Sequence, residues 1–222
     1  RLLWNSSLMT TPLAALFKKT QSENRAALIA YIPAGFPTVD KCYDLVRAII
    51  DGGADVVEVG WPYSDPLMDG PTIQIAAEMA LENGAHAADV FNTVSVVADA
   101  GAVPLVMSYW NLIERYGVER FSADLANANG VGVITADLTP EEAGPWIEAT
   151  DANGIDRIFL VAPSSTDARL KIVTDATSGF VYAASLMGVT GTRASVSSHA
   201  AELVARTRKV TDLPIAVEIG RA

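Results

Sequence analysis

Residues 55–74 read Asp-Val-Val-Glu-Val-Gly-Trp-Pro-Tyr-Ser-Asp-Pro-Leu-Met-Asp-Gly-Pro-Thr-Ile-Gln. Val56, Val57 and Val59 form the short apolar run of a buried parallel strand, interrupted by one carboxylate, Glu58. Trp61-Pro62 and Asp65-Pro66 turn that strand into a loop, because neither proline can donate to a ladder. The loop carries Asp65 and Asp69 before Gly70-Pro71 and a helical start near Thr72. A charge inside a valine-rich strand costs free energy unless something uses it. Two readings follow. Glu58 is either the last strand residue, exposed at the sheet rim, or a strand-end acid with a partner acid on the following loop. The second arrangement is the usual seat of chemistry in a βα fold.

The same stretch resembles the signature of the tryptophan synthase alpha chain family, roughly Glu-(apolar)-Gly-x-Pro-(aromatic)-Ser-Asp-Pro-x-x-Asp-Gly-Pro-x-Ile-Gln. Glu58, Gly60, Pro62, Tyr63, Ser64, Asp65, Pro66, Asp69, Gly70, Pro71, Ile73 and Gln74 all fall on it. A match of that length with fixed gaps is far more specific than a lone glycine motif. The resemblance implies an α/β fold, a TIM-type (β/α)8 barrel, and a lyase that cleaves indole-3-glycerol phosphate to indole and glyceraldehyde 3-phosphate in tryptophan biosynthesis. It implies Glu58 as the acid that protonates the indole carbon. Asp69 would bind the indole N–H and stabilise the positive charge developing on the ring. It further implies an alpha2beta2 assembly with a beta chain, which would hold the pyridoxal phosphate; no cofactor is expected in this chain.

The remaining composition is compatible with that reading. The chain has 222 residues, half of them hydrophobic, and a formal net charge of −10. One large α/β barrel absorbs this length without a second domain. The acidic balance argues against nucleic acid or an anionic membrane as partner. A single cysteine, Cys42, excludes an internal disulfide and fits a reducing, cytoplasmic setting. No apolar run approaches the roughly 20 residues of a membrane span.

Along the chain, residues 1–10 read as an N-terminal extension, with Met9 a candidate natural start, and 11–222 as a single barrel domain. Pro12–Thr20 is amphipathic, with Leu13, Leu16 and Phe17 on one face, and suits a plug under the barrel. Strand and helix then alternate, which favours a parallel sheet. Strands are expected at Ala27–Ile32, Val56–Val59, Pro104–Tyr109, Val131–Leu138, Arg157–Ala162, Phe180–Leu186 and Pro214–Ile219. Thr38 is placed to cap a helix that Gly52-Gly53 end. Further helices are expected at Ile73–Leu81, Ala87–Ala100, Tyr116–Ala128, Asp167–Ala176 and Ser198–Lys209. Thr139-Pro140-Glu141-Glu142 reads as another helix start, with a cap, a proline at the first position and a glutamate three residues on. Seven strands are counted where a closed barrel needs eight, so the domain is expected to lack its C-terminal strand–helix portion.

The resemblance extends over about residues 12–220. It places Tyr31, Tyr109 and Tyr182 in the substrate pocket, and Thr190, Gly191 and Gly220 toward the loop and phosphate side. Asn111 and Asp137 fall on family positions near the site or the subunit interface. The resemblance turns Trp61, Pro62, Tyr63 and Asp65 toward the beta chain, although the aromatic residues could equally cover the barrel mouth. Glu218 departs from the family's glycine and, two residues from Gly220, would share its side of the strand. His86 and His199 lack ligand-spaced neighbours, so no metal site is read. Two alternatives stay open: another βα-barrel lyase or isomerase acting on a phosphorylated substrate, and a truncated alpha-like chain that binds a beta partner with little turnover.

Overall fold

A computed structural model describes residues 11–184 and 198–219. Helix α1 (Pro12–Ser22) leads into strand β1 (Ile29–Pro33), helix α2 (Val39–Asp51) and strand β2 (Val56–Gly60). Helices α3 (Pro71–Glu82) and α4 (Ala87–Asp99) precede β3 (Val103–Ser108), and α5 (Trp110–Tyr116) and α6 (Val118–Asn127) precede β4 (Gly132–Thr135). Helix α7 (Gly144–Asn153), β5 (Asp156–Ile158), β6 (Leu160–Val161), α8 (Asp167–Ala176), β7 (Val181–Ala183), α9 (Ser198–Thr207) and β8 (Ile215–Val217) complete the order.

Every strand pairing is parallel, in the order β1-β2-β3-β4-β5 and β6-β7-β8. Strands β5 and β6 are two halves of the single run expected at Arg157–Ala162. The Tyr182 N–H donates to the Phe159 carbonyl between them at 3.2 Å, so the ladder passes from one set to the other. The seven strand runs expected from sequence are therefore all present. Side chains divide by strand parity. Val57, Val59, Val106 and Val133 pack outward against the helices. Val56, Leu105, Met107, Ile134, Ile158, Phe180 and Tyr182 form one inner cluster with Leu13 of α1. A flat sheet cannot bring first and last strands into one cluster; a barrel-like curl does.

Capping and turn chemistry explain most element boundaries. The Thr38 hydroxyl accepts from the Lys41 N–H, as its position before α2 predicts. Helix α3 starts at Pro71 rather than Ile73, with proline in the first turn, where its missing N–H costs nothing. Two expectations need correction. Residues 140–142 form a turn and the helix begins at Gly144, because Pro145 has no N–H to extend a ladder begun at Thr139. The helix expected at Tyr116–Ala128 starts at Val118 as α6, behind a short helix, α5, that the sequence pattern does not announce. Gly117, at φ 102°, breaks the chain between α5 and α6 in a conformation that glycine tolerates.

Helix α1 closes the N-terminal end of the strands, as its amphipathic pattern predicts. Leu13 is fully buried, and the Phe17 and Phe180 rings meet edge to face at 5.8 Å. Beside them lies Asp156, 6% exposed, with Oδ2 lacking a hydrogen-bond partner among the described residues. Burial pushes its carboxyl above the usual aspartate range, and the Ser178 and Thr11 hydroxyls and the Arg157 charge only partly offset this. A carboxyl with a raised folded-state pKa stabilises the fold fully below its unfolded pKa. It loses that contribution as pH rises through the folded value. Asp156→Asn is therefore expected to be neutral near pH 4 and stabilising at pH 8, measured as a pH-dependent gap between denaturant midpoints of variant and parent.

Candidate active site

Glu58 is the middle residue of β2, and all five residues of that strand are buried. Its own exposure is 6%, which removes the reading of a rim carboxylate. Glu58 shares parity with Val56, so it projects into the barrel, and its register partners are Tyr31 on β1 and Leu105 on β3. Two residues further, Gly60 is tightly approached from inside. A Cβ built there would lie 2.2 Å from the Tyr31 hydroxyl and 2.6 Å from its Cζ. Glycine at 60 is thus the space that the Tyr31 ring occupies above Glu58.

The loop that follows is fastened at several points. The Trp61 N–H donates to the Met107 carbonyl, continuing the β2–β3 ladder for one residue. The Trp61 ring turns outward from the barrel interior and stacks on Phe121 at 5.6 Å, edge-on to Tyr116. Pro62 is buried. Of the four residues expected at a partner interface, these two thus pack against the body of the molecule. Tyr63 is half-buried against the Tyr109 ring, and Asp65 is exposed with a hydrogen bond from Ser64. Leu67, at 80% exposure, and Met68 are the loop's exposed apolar side chains.

Asp69 closes the loop. The Met68 N–H donates to the Tyr109 hydroxyl at 2.9 Å, and the Asp69 carbonyl accepts from Gln74 Nε2 at 2.8 Å. Tyr109 immediately follows β3, so residues 68 and 69 lie over the C-terminal ends of β2 and β3. Glu58 and Asp69 thus belong to the same end of the sheet, one on the inner wall and one on the loop above it. Tyr31 and Tyr182 also belong to the inner cluster, and Tyr109 is buried at the rim. Ala216 packs on this cluster, and Glu218 shares its parity at the end of β8. Thr190, Gly191 and Gly220 lie outside the described residues. A cavity of about 300 Å³ lined by Arg47, Asp51, Val96, Asp99 and Ala100 sits at the opposite, N-terminal end, where none of these residues reaches.

Two contacts of this region have no signal in the local sequence pattern. Asn111 Nδ2 donates to the Tyr63 hydroxyl at 3.0 Å, and the Trp110 N–H donates to Asp137 Oδ1 at 2.7 Å. Both involve α5, a helix absent from the sequence-based expectations. The glycine at 117 is the available signal for its end. Cys42 is fully buried in the outer layer, and His86 begins α4, where its N–H donates to Asp89. Among the described residues, no group of three or more His, Cys, Asp or Glu side chains is arranged to hold a metal ion.

A buried inward carboxylate, a fastened acidic loop and aromatic walls at the C-terminal end of parallel strands define a βα-barrel enzyme site. Comparison with known proteins makes the class specific. The family model of the tryptophan synthase alpha chain matches residues 17–221. The alpha chain of Thermobifida fusca is 60% identical over 213 residues, which is 95% of this chain and 79% of that protein. The structure of Mycobacterium tuberculosis tryptophan synthase superposes with a TM-score of 0.90 at 48% identity, covering 95% of this chain and 80% of that one. The tryptophan synthase a2b2 complex of the hyperthermophile Pyrococcus furiosus gives 0.80 at 34% identity, covering 88% and 79%. The chain belongs to the tryptophan synthase alpha chain family, and its fold is the family's TIM-type barrel.

The contact at Gly60 generates a test. Gly60→Ala is expected to destabilise the fold by about 1–3 kcal/mol, since the new methyl meets a packed ring. In the Gly60→Ala/Tyr31→Ala double variant that clash is gone, so the two effects are expected to be non-additive. Urea unfolding of the two single variants and the double variant gives the coupling directly.

Proposed function

We propose that this chain is a carbon–carbon lyase that cleaves indole-3-glycerol phosphate to indole and glyceraldehyde 3-phosphate, a step of tryptophan biosynthesis carried out in the cytoplasm. The observation that carries the reading is the pairing of a buried, inward Glu58 with Asp69 on the fastened loop at the same end of the barrel. The reaction requires a proton on the indole ring carbon before the bond to the glycerol chain breaks. It also requires a base for the glycerol hydroxyl that becomes the aldehyde. Glu58 supplies both transfers in turn, as a single positioned carboxyl can. Asp69 accepts the indole N–H and stabilises the cationic ring, an electrostatic task suited to a carboxylate fixed in advance.

Tyr31, Tyr109 and Tyr182 enclose the indole side, and Thr190, Gly191 and Gly220 serve the loop and phosphate side. No cofactor takes part in this chemistry; pyridoxal phosphate belongs to the beta chain of the assembly. The beta chain docks on the loop from Trp61 to Asp69, where Leu67 and Met68 offer apolar contact and Asp65 a charge, while Trp61 and Pro62 brace the loop from beneath.

Three variants check this reading. Glu58→Gln is expected to reduce indole release from indole-3-glycerol phosphate by more than about a hundredfold with an unchanged thermal midpoint. Asp69→Asn is expected to lower kcat as well. Retained turnover in Glu58→Gln would refute the acid role. Leu67→Glu is expected to weaken beta-chain association about tenfold or more, the effect of burying a charge at an apolar contact. Sedimentation of mixtures with the beta chain reads this, and unchanged association would move the docking surface elsewhere.

A further inference from the structure

Helix α5 touches the acidic loop at two places. Tyr109, its N-cap, accepts the Met68 N–H, and Asn111, in its first turn, donates to the Tyr63 hydroxyl. The Tyr63 and Tyr109 rings also meet, with centroids 5.4 Å apart. Both halves of the 61–70 loop therefore lean on the beginning of one short helix. Helix α5 has little of its own to hold that beginning in place. Tyr109 contributes no side-chain cap, and the first turn contains no acidic residue. The missing acceptor comes from just beyond β4, where Asp137 Oδ1 takes the Trp110 N–H at 2.7 Å across 27 residues of sequence. A carboxylate bonded to a first-turn N–H is a charge-assisted contact and complements the helix dipole.

We propose that Asp137 is a positioning residue for the reaction: it fixes the first turn of α5, and through Tyr109 it sets the height of Met68 and Asp69 over the barrel mouth. Asp137 is exposed, and its role is exerted through backbone rather than through substrate. The chain of contacts runs from the Asp137 carboxylate to the Trp110 N–H, from Tyr109 to the Met68 N–H, and from Met68 to the adjacent Asp69. The catalytic consequence rests on the role proposed above for Asp69; the mechanical consequence does not.

The test uses the full chain together with its beta chain, and compares Asp137→Ala, Asp137→Asn, Tyr109→Phe and Asp69→Asn. Amide hydrogen exchange at Trp110 and Met68 reads the contacts, and steady-state indole release reads the chemistry. Asp137→Ala is expected to speed exchange at both amides and to lower kcat about ten- to a hundredfold, with KM changed much less. Asp137→Asn keeps an acceptor oxygen and is expected to restore most of both. Tyr109→Phe is expected to speed exchange at Met68 while leaving Trp110 protected. Unchanged Met68 exchange in Asp137→Ala overturns the proposal, as does a loss of kcat that Asp137→Asn fails to rescue. Full activity of Asp69→Asn would instead remove the assigned role of Asp69, while the exchange results would still decide whether Asp137 controls the loop.

Discussion

A carboxylate held inside a strand whose every residue is buried is the constraint around which this molecule is arranged. Removing Glu58 from bulk water costs several kcal/mol or more unless its surroundings answer the charge. The strand itself offers only valines and a glycine. Whatever accommodates the group comes from neighbouring strands and from the loop above, which is why the inner wall changes character along its length. Below Glu58 the lining is Val56, Ile158, Phe180 and Leu13; at and above its level come Tyr31 and the loop that carries Asp69. The lower half is an ordinary apolar core. The upper half is where the protein accepts a cost that only a ligand or a reaction gives reason to keep.

The loop beyond β2 would be a poor place for a precise second acid if it were merely a loop. It contains two prolines, Pro62 and Pro66, and its tip, Leu67, stands almost fully in solvent. Its two ends are nevertheless fixed by different layers of the fold. Trp61 is stacked into the aromatic outer layer with Phe121 and Tyr116, while Met68 is tied to Tyr109 at the rim. The tip is free to meet a partner while the base stays registered to the barrel.

Much of this was legible in the sequence because it depends on local chemistry. The valine run of β2, the threonine cap at Thr38, the amphipathic plug and the seven strand runs follow from periodicity and capping residues alone. Glu58 stood out in the sequence because a carboxylate among valines is costly to bury, whereas the part given to Asp69 was implied by the family resemblance of residues 58–74. What escaped was non-local. Helix α5 lacks a capping side chain of its own, and the acceptor for its first N–H sits on Asp137, beyond the next strand. The packing of Trp61 depends on Tyr116 and Phe121, which no pattern within residues 55–74 reveals. The helix start expected at Thr139 failed because Gly144-Pro145, a few residues downstream, interrupts the ladder that its capping residues would have begun.

The plug carries an implication for biosynthesis of the polypeptide itself. Segments made early usually settle first during synthesis, yet the apolar face of α1 has its seat at Phe180, on one of the later strands. Until the ribosome has produced and released that strand, Leu13 and Phe17 lack the ring that completes their seat, and the growing chain exposes part of an apolar helix face. Contacts so distant along the chain also slow folding in general. The lid on the barrel floor is made long before the strand that seats it, and during that interval a chaperone has something to hold.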